Sequence, residues 1–195
     1  LKTFLMIAFV GAVSTGLAIG FRALLALADE GTTSLMMSHN MSQSSNTQLS
    51  SQSDAGTYFS LLACFVCALV ASVLITSYIS PQAAGSGIPR MKAVFGGVYL
   101  PNFLSLRTLC AKTLGLLGSV ASGLSVGSEG PFVHIACCIA AVLLRIPMFR
   151  FLNRNIVRRH GIIAMGCVAG VVAAFGTPFG GLLFAIEVVA TYFKI

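Results

Sequence analysis

Apolar residues fall in long unbroken runs along this chain, with no regular alternation that would mark strands. Residues 5–27 carry a single charge, Arg22, and at about 1.5 Å per residue they make about 35 Å of helix, one membrane crossing. A secretory signal is the rival assignment. It is disfavoured because the run is longer than a signal's apolar region and no small-residue cleavage site precedes the polar stretch. Residues 31–57 are rich in Ser, Thr, Asn and Gln and lack Lys and Arg, which predicts a polar loop. Residues 58–79 return across the membrane. Beyond them the runs shorten to segments of about 14–18 residues, at or below the spanning length, broken by GSGIP (Gly85 to Pro89), VGSEGP (Val126 to Pro131) and FGTPFGG (Phe175 to Gly181). Pieces this short must be partial or strongly tilted helices. Irregular backbone at membrane depth survives only where protein buries it or where it lines a watery cavity, so these breaks point to a transport site. For Gly118, Gly123, Gly161, Gly166 and Gly170 the preferred assignment is close helix packing.

Composition agrees and removes the soluble alternatives. Only 9% of residues are charged, too few to coat a globular surface, and the mean hydropathy is +0.92. The net charge of +7 would suggest nucleic acid or an acidic partner on a soluble chain. Here the basic residues form no stripe with interleaved aromatics, and they are better taken as topology signals. No Lys or Arg lies between Arg22 and Arg90, so the positive-inside rule puts the 31–57 loop outside and Lys2, Arg90 and Lys92 in the cytoplasm. The sequon at Asn40 fits an outside loop. The basic cluster Arg145, Arg150, Arg154, Arg158 and Arg159 suits lipid headgroups, with its side left unassigned. Cys64, Cys67, Cys110, Cys137, Cys138 and Cys167 all lie in apolar segments without metal-site spacing and are expected to be packing residues. No metal or cofactor is implied.

GSGIP and GSEGP carry the chemistry. Glycine permits the sharp turn, Pro89 or Pro131 suits a first helical turn, and the N–H groups at the start of each helix lack partners. A bare helix start carries about half a positive charge, enough to attract an anion without trapping it. Ser86 adds a hydroxyl donor. Glu129 is an acid within apolar surroundings, a functional candidate by default. Its carboxylate could occupy the place an anion would take and act as a gate, or it could be an N-cap that satisfies backbone donors. The residues alone leave both open.

GSGIP at 85–89, GSEGP running into FVHIA at 127–136, and GTPFGGLLFAIEV at 176–188 resemble three consecutive signature regions of the CLC family of chloride channels and proton/chloride exchangers. Order and spacing agree, and the likeness runs from about residue 3 to the end. It implies an all-α, polytopic integral membrane protein with tilted, half-spanning helices. Residues 1–195 would be the N-terminal half of a transmembrane domain built from two inverted repeats. The second half and any regulatory domains would be missing, with the true start, since the chain begins at Leu1 rather than Met. On this likeness Ser86, Gly87 and Ile88 face the central chloride from one side, Gly130, Pro131 and Phe132 from the other, and Glu129 is the gate. The family precedent favours the gate over the cap.

Three departures matter. Family members often have Glu where this chain has Arg90, and a basic residue where it has Ser128. Exchangers commonly place a proton-relay glutamate at the position of Val188, directly after Glu187. Valine cannot relay a proton. The wording around it resembles the channel branch, so passive voltage-gated chloride conduction is expected, with proton-coupled exchange as the alternative. Serine at 86 resembles members that prefer chloride to nitrate. Glu187 is expected to be hydrogen-bonded inside the fold. The family further implies a homodimer, chloride as the permeant ligand, lipid and no nucleic acid as partners, and the plasma membrane in preference to an intracellular one. A G-x-S-x-G match at Gly123 to Gly127, with Ser125 as nucleophile and His134 or His160 as base, raises an intramembrane serine hydrolase as a remote alternative. It lacks the strand-to-helix context, and no enzyme is expected. His134 is expected to be packed, and His160 to sit at the membrane edge.

Overall fold

The computed structural model describes residues 51–124, 126–149 and 153–190, with scattered positions between Leu5 and Glu30 that are all helical. Among the described residues there is no strand. Helix α1 spans Ser51–Ile79, α2 Ile88–Phe95, α3 Leu106–Ala121, α4 Glu129–Leu143, α5 Ile156–Phe175 and α6 Pro178–Ala190, with 3-10 turns at Pro81–Ala83 and Pro147–Phe149. The all-α architecture that the family resemblance implies is the one found among the described residues.

Helix α4 is the axis of the fold. Every residue from Gly130 to Ala141 is buried, and α5 packs along it more extensively than any other helix pair. Small residues make this possible. A Cβ placed on Gly170 would lie 2.7 Å from Val133 Cα and 2.9 Å from Phe132 O, and one on Gly166 would lie 2.9 Å from Ala140 Cβ. These contacts draw the two helix backbones together, as expected where lipid tails provide no hydrophobic drive for helix association. Helix α3 meets α1 in the same way, with Gly118 against Ser72 and Gly115 against Thr76. Ser72 Oγ donates to Gly115 O at 2.6 Å and pairs with Ser119 Oγ at 2.9 Å. Helix α1 is otherwise outward-facing. Its apolar stretch Leu62–Ile79 is long enough to span, and only 6% of it is buried. Phe59, Leu62, Val66, Val70 and Val73 are exposed.

Several expectations need correction. The polar loop does not reach residue 57, because α1 already starts at Ser51. Extending an existing helix gains a hydrogen bond for each residue fixed, and polar side chains outside the bilayer do not oppose it. Residues 31–50, including the sequon, lie outside the described residues. Helix α5 has 20 residues, more than the 14–18 foreseen, and is long enough to span. Asn155 caps its start by accepting from Val157 N at 3.1 Å, and Gly176 ends it at φ 72°. The glycines within it do not break it, since Gly166 and Gly170 are packed against α4. Gly161 has nothing within 4 Å of a notional Cβ, and Gly123 serves a turn at φ 73°, so neither is a packing glycine. Cys137, Cys138 and Cys167 are buried in the core, whereas Cys64, Cys67 and Cys110 are exposed on the outer helices.

Gly170→Ala is expected to force α4 and α5 apart, because the atoms in the way are backbone and cannot rotate aside. Overpacking of this kind costs about 1–3 kcal/mol. Gly161→Ala, in open space, should be neutral or stabilise by up to about 1 kcal/mol through helix propensity. Thermal unfolding of the two full-length variants in detergent checks the contrast. Equal melting temperatures would contradict the packing described.

Candidate functional site

The GSGIP and GSEGP turns, more than forty positions apart in sequence, touch each other. A Cβ on Gly130 would lie 2.6 Å from Ser86 Cβ and 3.3 Å from its Cα, so the start of α4 sits directly on the turn that starts α2. Gly87 is the N-cap of α2 at φ 88°, a left-handed conformation that favours glycine. The first bond of α2 runs from Met91 N to Gly87 O at 2.9 Å. Pro89 brings no N–H, and the Ile88 amide has no hydrogen-bond partner among the described residues.

His134 fixes this turn from beneath. It is fully buried on α4, its ring stacks on Phe103 with centroids 4.2 Å apart, and Nε2 lies 3.2 Å from Phe103 O. A Cβ on Gly87 would meet the same ring at 2.8 Å. His134 is therefore a packed spacer between α2 and α4, as expected, with its Nδ1 buried and without a hydrogen-bond partner among the described residues. Ser125 lies outside the described residues.

At the start of α4, Ser128 is the N-cap and its side chain makes no capping bond. Glu129 is the first helical residue, so it is not the N-cap that its position suggested. Its side chain is exposed and curls back: a Cβ on Gly127 would lie 2.9 Å from Glu129 Oε2. Phe132 N is committed to Ser128 O at 3.0 Å and Pro131 has no N–H, so the free donors of this turn belong to Glu129 and Gly130. Phe132 is buried, and it contributes to the turn through packing and the helix dipole.

A cavity of about 290 Å³ opens beside the junction, lined by residues of both turns, including Gly85, Ser86, Gly127 and Pro131, and by Lys112 of α3. Lys112 escaped the sequence reading. It is 5% exposed, and its Nζ donates to Ala83 O at 2.8 Å and to Gly85 O. The available signal was a lone Lys within the apolar stretch Leu106–Ala121, an intramembrane ionisable residue. This buried cation both pins the chain leading into GSGIP and places a positive charge on the cavity wall. Arg90 is exposed on α2, and its guanidinium donates to Gln82 O at 3.0 Å, steadying the same approach. Glu187 is exposed on α6 and engages a partner there, so it does not sit inside the fold. The side chain of Val188 lies outside the described residues.

Two adjoining helix starts beside one cavity, a buried cation in its wall and two helices long and apolar enough to cross a bilayer are the features of a membrane protein with an internal site. Known proteins give that class a family. A family model described as voltage gated chloride channel matches residues 64–195, more than half of the chain. Chloride channel protein 1 of Rattus norvegicus is 47% identical over 125 residues, 64% of this chain and 13% of the rat protein. Chloride channel protein F of Dictyostelium discoideum is 42% identical over 138 residues, 71% of this chain and 17% of that protein. The crystal structure of a eukaryotic CLC transporter matches with a TM-score of 0.76 and 32% sequence identity, covering 100% of this chain and 35% of that chain. The chain belongs to the voltage-gated chloride channel, or CLC, family. It spans less than a fifth of the length of these curated relatives.

Proposed function

We propose that this chain supplies one wall of a chloride pathway, in which Ser86, Gly87 and Ile88 and the opposing Gly130, Pro131 and Phe132 hold the anion with helix dipoles and hydrogen-bond donors, and Glu129 gates it. The observation that carries the proposal is the direct contact of Gly130 with Ser86, which brings two bare helix starts to one cavity. Such ends favour an anion by typically 0.3–1 kcal/mol each at exposed sites and up to about 2 kcal/mol where partly buried. That is strong enough to admit chloride and weak enough to release it. Lys112 deepens the positive field, and Glu129, exposed beside the cavity-lining Gly127, can enter or leave the space as its charge changes.

Passive conduction is favoured over proton-coupled exchange because position 188 is valine, which has no ionisable group to carry a proton inward. The full-length protein, reconstituted in liposomes, should release chloride down its gradient. Gly130→Ala, which drives a methyl into Ser86, should abolish most of that release while the protein still folds and elutes as wild type. Unchanged chloride release in that variant would refute the proposed path.

A further inference from the structure

A second cavity lies away from the Ser86 junction, at the other end of α2. It also has a volume of about 290 Å³, and its lining combines the loop after α2 (Gly97, Tyr99 and Asn102) with Arg145, Arg159 and His160. Three basic side chains thus converge from the end of α4 and the first turns of α5. No carboxylate occurs anywhere between Gly130 and Ile186 to neutralise them. Arg145 is held in place by donating one guanidinium N–H to Leu104 O at 3.0 Å, which leaves its remaining donors available. Among the described residues neither the Arg159 guanidinium nor the His160 ring has a side-chain partner. Asn102, held at φ 61°, is anchored through its carbonyl, which accepts from Thr108 Oγ1 at 2.7 Å. The loop wall is therefore fixed rather than improvised.

We propose that this cleft binds a phosphate-bearing anion. Guanidinium groups present planar, paired donors that match phosphate oxygens, and a cluster of them without counter-charge is stabilised by an anion of charge near two. Chloride, a single small charge, would leave most of these donors unused. The surroundings fit a lipid headgroup. Val98, Tyr99, Ile156 and Val157, between 53% and 81% exposed, flank the basic residues with apolar surface on which acyl chains can lie. The cleft sits at one end of the spanning helix Ile156–Phe175, hence at a membrane boundary. It is also the end at which α2 and its Lys92 finish, which the positive-inside rule places on the cytoplasmic side, where the leaflet is anionic. A free phosphate offers the same chemistry without the chains.

The test uses the full-length protein in detergent, incubated with phosphatidic acid and analysed by native mass spectrometry, with inorganic phosphate as competitor. Wild type should retain the lipid. The double variant Arg159→Gln, His160→Gln should lose affinity by roughly tenfold or more, given the strength of charge-assisted bonds. Arg154→Gln, a basic neighbour that does not line the cleft, should bind as wild type. Thermal unfolding verifies that each variant is folded. Competition by inorganic phosphate would assign the site to phosphate anions from either source, and retention despite it would assign the site to the lipid; either outcome supports the proposal. Absence of lipid binding by wild type together with no stabilisation by phosphate would overturn it, as would an equal loss in Arg154→Gln. The readout is binding rather than chloride flux, so it succeeds or fails independently of the pathway around Ser86.

Discussion

Glu129→Ala in the full-length protein is expected to remove most of the voltage and pH dependence of its chloride current, leaving a conductance that stays open. The carboxylate stands at the first helical position of α4, beside Gly127 in the cavity wall, and makes no hydrogen bond or ion pair among the described residues that would hold it there. In the proposed gating it swings over the two helix starts, occupies the anion's place and repels it. Two like charges about 4 Å apart interact by on the order of 4 kcal/mol at an effective dielectric of about 20. At about 1.4 kcal/mol per tenfold, that is a change of several hundredfold or more in anion occupancy. Protonation removes the repulsion, which is why the gate should respond to pH, and Glu129→Gln should mimic the protonated state at nearly constant volume. Patch recordings over a range of voltages and external pH check both variants. Gating that survives in Glu129→Ala would mean that the glutamate is only a surface group at a helix start.

Lys112→Met is expected to weaken chloride binding strongly while changing stability little. Two opposing contributions to stability have to be compared. Losing the bonds to Ala83 O and Gly85 O costs roughly 1.5–3 kcal/mol for each charge-assisted bond. Removing the buried cation returns a desolvation penalty of several kcal/mol. The two largely offset, and Gly85 is exposed enough for water to replace the lost donor. No such compensation exists for the anion. A positive charge acting across a cavity of this size, roughly 8 Å at an effective dielectric of about 20, contributes on the order of 2 kcal/mol. Chloride affinity of the full-length protein, measured by calorimetric titration, should therefore fall by at least about tenfold. A melting temperature close to wild type with unchanged affinity would reduce Lys112 to a structural tether.

Much of this arrangement is legible in the sequence, for specific reasons. GSGIP and GSEGP announce helix starts because glycine and proline act over a few residues. The long apolar runs announce spanning helices by length alone. What local pattern cannot carry is pairing. Nothing within either motif says that Gly130 rests on Ser86, or that His134, one turn further along α4, props Gly87 from below. Those contacts depend on how α4 is seated among its neighbours, and the seating is set by Gly166 and Gly170 on α5, far along the chain. The same limit explains Gly123 and Gly161, which share a residue type with the packing glycines but face a turn and open space. Lys112 was visible as a charge in an apolar stretch, yet its partners are the backbone carbonyls of Ala83 and Gly85, groups present at every position and so silent in a sequence. Helix α5 extends beyond the apolar run from Gly161 to Phe175 because its first turns carry Arg158, Arg159 and His160, and a length judged from apolar residues misses such turns.

The most direct test of a passive, anion-selective pathway is the reversal potential of the full-length protein in a planar bilayer, measured under a fixed chloride gradient while a proton gradient is imposed and reversed. Valine at position 188, which has no ionisable group, predicts a reversal potential that stays at the chloride equilibrium value whatever the proton gradient. A reversal potential that moves with pH in fixed proportion would mean that protons are carried with the anion, and would contradict it.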